Sequence, residues 1–188
     1  VDILRRELDE AMEAACGGAI WSEPRFAPTP PALRRLNDIA FSGDGEPTCL
    51  PQFDEAVAAA AEVRRTFRRD NLKLVVITNA TQLASPQFRR ALPILDANNG
   101  EVWAKLDAGT EEYFRRVNRP QGDVTLERIV ADIAELARGR AVVIQTLLCR
   151  LDGRATPPEE LAAYVGRLRR IVAAGGRIGQ VQLHTVAR

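Results

Sequence analysis

The sequence predicts an α/β fold with a parallel sheet, and two observations predict it. Five short apolar runs of strand character alternate with longer segments of helical periodicity. Each run begins apolar and ends polar, which gathers polar side chains at one end of a parallel sheet.

The elements follow in order. Residues 2–15 (DILRRELDEAMEAA) read as a helix, with Ile3, Leu4, Leu8 and Met12 on one face. Residues 17–34 hold Gly17, Gly18, Pro24, Pro28, Pro30 and Pro31, an irregular connection with a turn of helix at 31–35. Strands are then expected at 38–42, 72–78, 101–107, 141–149 and 179–186, and helices at 52–69, 85–96, 110–117, 125–138 and 157–174. Right-handed crossovers turn such repeats into an open doubly wound sheet or part of a barrel.

The polar strand ends are Ser42, then Thr78 and Asn79, then Lys105 and Asp107, then Gln145, then Gln182 and His184. Lys105 and Asp107 are two apart, so they share a face, and so do Gln182 and His184. In a parallel barrel the C-terminal rim is where sites are built. The bland alternative is a set of rim polar groups that meet only water.

Composition sets outer bounds. A chain of 188 residues fits one domain. Its net charge of +1 offers no global field for nucleic acid or an anionic membrane. No apolar run is long enough to span a bilayer and no signal segment opens the chain, so the cytoplasm is the expected compartment and no membrane partner is expected. Cys16, Cys49 and Cys149 are scattered and lack the spacing of a metal knuckle. The arginine pairs Arg5-Arg6, Arg34-Arg35, Arg64-Arg65 and Arg169-Arg170 read as solvated helix faces. The chain starts at Val1 rather than methionine, and the expectation is a piece of a longer protein.

The stretch FSGDGEPT, residues 41–48, follows the first strand. Gly43 and Gly45 permit backbone angles and close approaches that a side chain would block. Pro47 stiffens the exit and biases Glu46 toward an extended conformation. A phosphate-cradling loop would want the lysine of GxxxxGK[ST], and this loop carries Asp44 and Glu46 instead. Carboxylates beside open backbone suit an ammonium or a hydroxyl, such as the amino end of an amino-acid-like ligand. A tight acidic turn is the plainer reading.

Ser42, Gly43, Asp44, Gly45, Glu46 and Pro47 together resemble the GGEP-type motif of radical S-adenosylmethionine enzymes. VVITNAT at 75–81 is similar to the TNG segment of that superfamily. KLDAGTEEYFRRVNRP at 105–120, VIQTLL at 143–148 and VQLHTVAR at 181–188 resemble its later strands. The resemblance covers about 36–188 and is nearest to the branch related to wyosine-tRNA synthases.

That resemblance implies a partial (βα)6 barrel of parallel strands, like part of a TIM barrel, with the first strand missing. A single domain over 1–188 is expected, with the N-terminal helix and connection in 1–35 and the βα repeats in 36–188. The implied cofactors are S-adenosylmethionine and a 4Fe–4S cluster. The CxxxCxxC loop that would hold the cluster is absent, either truncated or lost. By the resemblance, Glu46 and the 43–45 backbone meet the methionine ammonium and Asp107 meets the ribose hydroxyls. Lys105 pairs with the methionine carboxylate, while Asn79, Gln145 and His184 line the cavity.

The implied activity is reductive cleavage of the cofactor to a 5′-deoxyadenosyl radical. The implied partners are an electron donor and an unidentified substrate, a transfer-RNA base or a small molecule. Two other readings stay open: a non-catalytic binding or scaffold protein on a degenerate barrel, and a barrel aldolase or isomerase with Lys105 as a Schiff-base lysine.

Overall fold

The computed structural model describes residues 1–43 and 45–185. Asp44, and the part of the last expected strand beyond 185, lie outside the described residues.

The chain opens with α1 (Asp2–Cys16) and then runs through short 3-10 turns at Ala19–Ser22 and Pro31–Leu33. The repeats follow as β1 (Asp38–Phe41), α2 (Phe53–Thr66), β2 (Lys73–Thr78), α3 (Pro86–Asp96) and β3 (Gly100–Lys105). After them come α4 (Glu111–Val117), α5 (Leu126–Gly139), β4 (Ala141–Leu147), α6 (Pro158–Ala173) and β5 (Arg177–His184). Helix starts carry side-chain caps where the sequence offers them. Ser85 accepts the Phe88 N–H, Thr110 the Tyr113 N–H and Thr125 the Arg128 N–H.

The five strands form one parallel sheet in the order β1-β2-β3-β4-β5. A doubly wound sheet reverses its strand order at a switch point, and this order has no reversal. The sheet's two faces differ accordingly. One face carries Leu74, Val76, Val102, Ala104, Leu106, Val142 and Ile144, all in one core cluster with Val57, Phe88, Leu95, Ile133 and Ile171 of the helices. The other face carries Lys73, Glu101, Trp103, Lys105, Gln145 and Gln182, which are half-buried or exposed. The helices therefore cover one face, and polar side chains share the other with Val75, Ile77, Trp103 and Val143.

Aromatic side chains fix both ends of the loop after β1. Phe41, the last residue of β1, meets the Phe53 ring edge-on at 5.7 Å. Phe53, the first residue of α2, stacks on Phe88 of α3 at 6.2 Å. Such pairs contribute about 0.5–1.5 kcal/mol each beyond their burial.

Two arginine pairs depart from the expectation of solvated helix faces: Arg34 and Arg35 are exposed but lie past the 3-10 turn Pro31–Leu33, outside any helix, and the second pair is Arg64-Arg65. Arg65 is exposed, but Arg64 is 4% exposed. Its guanidinium donates to the carbonyls of Leu72 at 3.0 Å and Asn98 at 2.7 Å, and to Asn98 Oδ1 at 3.1 Å. Those groups belong to the segments that enter β2 and β3. Loop carbonyls with no strand partner supply acceptors there, and the charge is buried because they surround it.

Between α5 and α6, Glu127 accepts from Arg167 at 2.6 Å and also pairs with Arg170. The hydrogen bonds from Arg170 and Arg167 hold its carboxyl at about 2, below the usual 4.5. A depressed folded-state value contributes stability that is fully present above pH 4.5 and is lost as pH falls through 2. The side chain is 58% exposed, so solvent screening limits the effect to about 1 kcal/mol or less. Urea midpoints of wild type and Glu127→Gln should differ at pH 6 and converge as the pH approaches 2. A constant difference across that range would show that the arginines do not set it.

Candidate functional site

Parallel strands bring all five C-terminal ends to one edge of the sheet, so the polar residues expected there share that edge. They form two groups, one at the ends of β1 and β2 and one across β3, β4 and β5.

Glu46 organises the first group. Its Oε1 accepts from the Thr48 hydroxyl at 2.5 Å, the Thr48 N–H at 3.2 Å and the Thr78 hydroxyl at 2.7 Å. Its Oε2 accepts the Asn79 N–H at 2.6 Å. One carboxylate thus caps the 3-10 turn Pro47–Cys49 and ties the loop after β1 to the end of β2. Oε2 keeps one lone-pair direction for a ligand. Asn79 Oδ1 accepts the Thr81 N–H at 3.0 Å, folding the chain back after β2. Ala80 sits there at φ 65°, a left-handed angle that costs a β-carbon about 1 kcal/mol.

The glycines before Glu46 are open. Gly43 at φ 144° and Gly45 at φ 107° have no atom within 4 Å of where a β-carbon would stand. Ser42, Gly43, Gly45, Glu46 and Pro47 line a hollow of about 120 Å³. Ser42, Gly43 and Gly45 are exposed, and none of the three makes a backbone hydrogen bond among the described residues. The Cys49 thiol nearby is pushed up by partial burial and by the Glu46 charge, which keeps it protonated near neutrality.

The second group lies on the open face. Asp107, just past β3, accepts the Leu147 N–H at 2.7 Å through Oδ1 and the Asn118 side-chain amide at 2.7 Å through Oδ2. Lys105 is exposed and has no acid partner among the described residues, whereas Lys73 pairs with Glu101 at 2.6 Å. Lys105 stands in register with Gln145, and Gln145 with Gln182. Gln145 Nε2 donates to Gln182 Oε1 at 3.1 Å. His184 is exposed and stands in register with Leu147.

Sequence reasoning missed several contributors. Thr48 completes the Glu46 cluster, and an acid two residues before a threonine was the available signal. Asn118 orients Asp107 from eleven residues away, and no local pattern marks it. The buried hydroxyl pair of Thr146 and Tyr164, with Thr146 also donating to the Leu106 carbonyl at 3.0 Å, ties β4 to α6 beneath the edge. A hollow of about 530 Å³ is lined from α3, α5 and their flanks by Leu92, Asp96, Asp132 and Arg140, with no strand-end residue.

No protein-family profile matches the chain. A UPF0026 protein of Synechocystis, slr1464, is 30% identical over 116 residues. The match takes in 57% of this chain and 40% of that protein. The GTPase Obg of Brachyspira hyodysenteriae is 24% identical over 105 residues, 56% of this chain and 14% of the GTPase. The chain therefore spans well under half of the curated relatives it matches. The GxxxxGK[ST] phosphate loop occurs nowhere in this sequence. No helix among the described residues is long and apolar enough to cross a membrane.

Proposed function

We propose that this chain is the S-adenosylmethionine-facing core of a radical enzyme, built on a partial (βα)6 barrel. The reaction class is hydrogen abstraction by a 5′-deoxyadenosyl radical from an unidentified substrate. The observation that carries the reading is the loop at 42–47. Ser42, Gly43 and Gly45 are exposed, the two glycines leave room for close approach, and Glu46 pins the loop to the neighbouring strand end. An unreversed strand order with helices on one face supports the barrel.

The chain's own residues take binding roles in this reading. Carbonyls of Gly43 and Gly45 and the spare lone pair of Glu46 Oε2 accept the methionine ammonium. Asp107 keeps a free lone pair on each oxygen for ribose hydroxyls, because each accepts a single protein donor. Lys105 faces the methionine carboxylate as a point charge. Asn79, Gln145 and His184 line the rest of the cavity.

The cluster is a different matter. Cys16 closes α1, Cys49 follows the 42–47 loop and Cys149 follows β4. Among the described residues, no three metal-ligating side chains converge. These residues do not fit a 4Fe–4S cluster, so its ligands must come from elsewhere in the active protein. The same observation favours a second reading, a scaffold on this barrel that acts through partners.

Anaerobic reconstitution with iron and sulfide of the gene product that carries this chain separates the two. A reduced-cluster paramagnetic signal that shifts on adding S-adenosylmethionine is the expected result. A gene product that assembles no cluster would put the scaffold reading first.

A further inference from the structure

We infer that the N-terminal edge of the sheet carries an anion site, a hollow that takes a doubly charged phosphate group, free or carried on a small ligand. It lies at the opposite end of the strands from the 42–47 loop and shares no residue with the strand-end site. It needs neither S-adenosylmethionine nor a cluster, so either reading can fail alone.

Three segments meet there: the end of α1, the chain between the second 3-10 turn and β1, and the approach to β2. They enclose a hollow of about 390 Å³, lined among others by Trp21, Arg34, Arg35, Arg69 and Asn71 and by no acidic residue. Asp70, next to Arg69 in sequence, is exposed and stays out of the lining. That volume falls within the roughly 300–1,000 Å³ of small-molecule sites, so the hollow has room for more than an isolated ion.

Arg34 is held in place before any ligand arrives. Its guanidinium stands 6.0 Å from the Trp21 ring centroid, Nε donates to the Thr29 carbonyl at 3.0 Å, and Nη2 donates to the Ala27 carbonyl at 3.3 Å. These partners are neutral, so the charge is not compensated, and Nη1 keeps both of its N–H groups. Arg35 and Arg69 are exposed, and neither side chain has an acid partner among the described residues.

The plainer role for such arginines is to offset helix dipoles. α1 has no basic residue in its last turn and ends at the hollow, where its dipole amounts to about half a negative charge. α2 is matched by Arg64 and Arg65 in its own last turn. Of the three arginine charges in the lining, about two and a half are therefore left for a ligand. A terminal phosphate brings about two negative charges and three acceptor oxygens, one for each guanidinium, whereas a carboxylate brings one charge and two oxygens.

The test is titration of this chain with pyrophosphate, and in parallel with adenosine diphosphate and succinate, read from the two indole N–H signals in nitrogen–proton correlation spectra. Trp21 lines the hollow, and Trp103 on the open face of the sheet, its N–H held by Glu101 at 2.9 Å, is the internal reference. Pyrophosphate should shift the Trp21 signal saturably at submillimolar concentration and leave Trp103 in place. Succinate should need at least about tenfold more, the loss of one charge-assisted hydrogen bond. Adenosine diphosphate distinguishes the sources: binding as tight as pyrophosphate or tighter identifies a phosphate carried on an organic ligand, and weaker binding identifies the inorganic ion.

Arg35→Gln and Arg69→Gln should each weaken pyrophosphate about tenfold, with backbone signals outside the hollow unchanged. Arg169→Gln, which removes an exposed charge on α6, should leave the titration as in wild type. Equal weakening by all three variants would show a response to net charge alone and would overturn the site. So would tighter binding of succinate, or of an oligouridylate without a terminal phosphate, than of pyrophosphate, and so would an unmoved Trp21 signal at millimolar pyrophosphate.

Discussion

Gly109→Ala will destabilise the chain by about 4 kcal/mol or more, enough to lose the cooperative unfolding transition. Gly109 is buried where the segment after β3 crosses the first turns of α6. An added β-carbon would stand 2.5 Å from the Ala163 carbonyl carbon, 2.7 Å from the Glu160 carbonyl oxygen and closer still to the Tyr164 nitrogen. These are helix backbone atoms, which cannot rotate away as a side-chain tip can. The crossing is also fastened. The Glu160 carboxylate, 5% exposed, accepts the Gly109 N–H, the Thr110 N–H at 3.1 Å and the Thr110 hydroxyl at 2.6 Å. Arg167 donates to the Gly109 carbonyl at 2.8 Å. A β-carbon that pushes the segment off α6 therefore breaks this set together and displaces Asp107 two residues upstream.

Gly166→Ala is the matched control. It lies in the same helix with open space around its β-position, and it should stabilise by about 0.5–1 kcal/mol through helix propensity. Urea unfolding followed by circular dichroism measures both. A Gly109→Ala protein as stable as wild type would show that the segment and the helix separate at little cost.

Glu46→Ala should cost about 2–4 kcal/mol and release the 42–47 loop. Four donors lose their acceptor at once, and three of them belong to Thr48 and Thr78, each 0% exposed. A buried donor left without a partner costs about 1–3 kcal/mol, and partial rehydration of the exposed Asn79 amide moderates the sum. Glu46→Gln should fall between wild type and alanine. It keeps an acceptor for the threonines but sets an NH2 group against a donor. Amide exchange at Thr48 and Asn79 reports the change site by site and should accelerate in the alanine variant. Unchanged exchange would mean that the Phe41–Phe53–Phe88 stack holds the loop without the carboxylate. The consequence for the proposed function is direct, because an unpinned loop no longer presents its carbonyls in one geometry.

Much of this architecture was legible because it is written locally. The apolar runs at 72–78 and 141–149 announce strands through their β-branched residues, and β2 and β4 lie within them. Ser85, Thr110 and Thr125 announce helix starts three residues from the N–H groups they cap. The 41–48 stretch announces an open acidic loop, because glycine and proline carry their backbone preferences with them. Arg64 was misread for the same reason. Its neighbours in sequence, Val63 and Arg65, say nothing of the Leu72 and Asn98 carbonyls that surround its guanidinium.

The sequence by itself determined the alternation of strands and helices, the polar strand ends and the chemistry of the 42–47 loop. Each depends on residues within one helical turn or one strand. The tertiary structure alone decided that Glu46 spends most of its lone pairs on Thr48, Thr78 and Asn79. It alone also set Asp107 against Leu147 and aligned Lys105, Gln145 and Gln182 in one row. The physical reason is strand register. It joins residues 32, 37 and 40 positions apart, across loops and helices whose lengths carry no local signal of which side chains will meet.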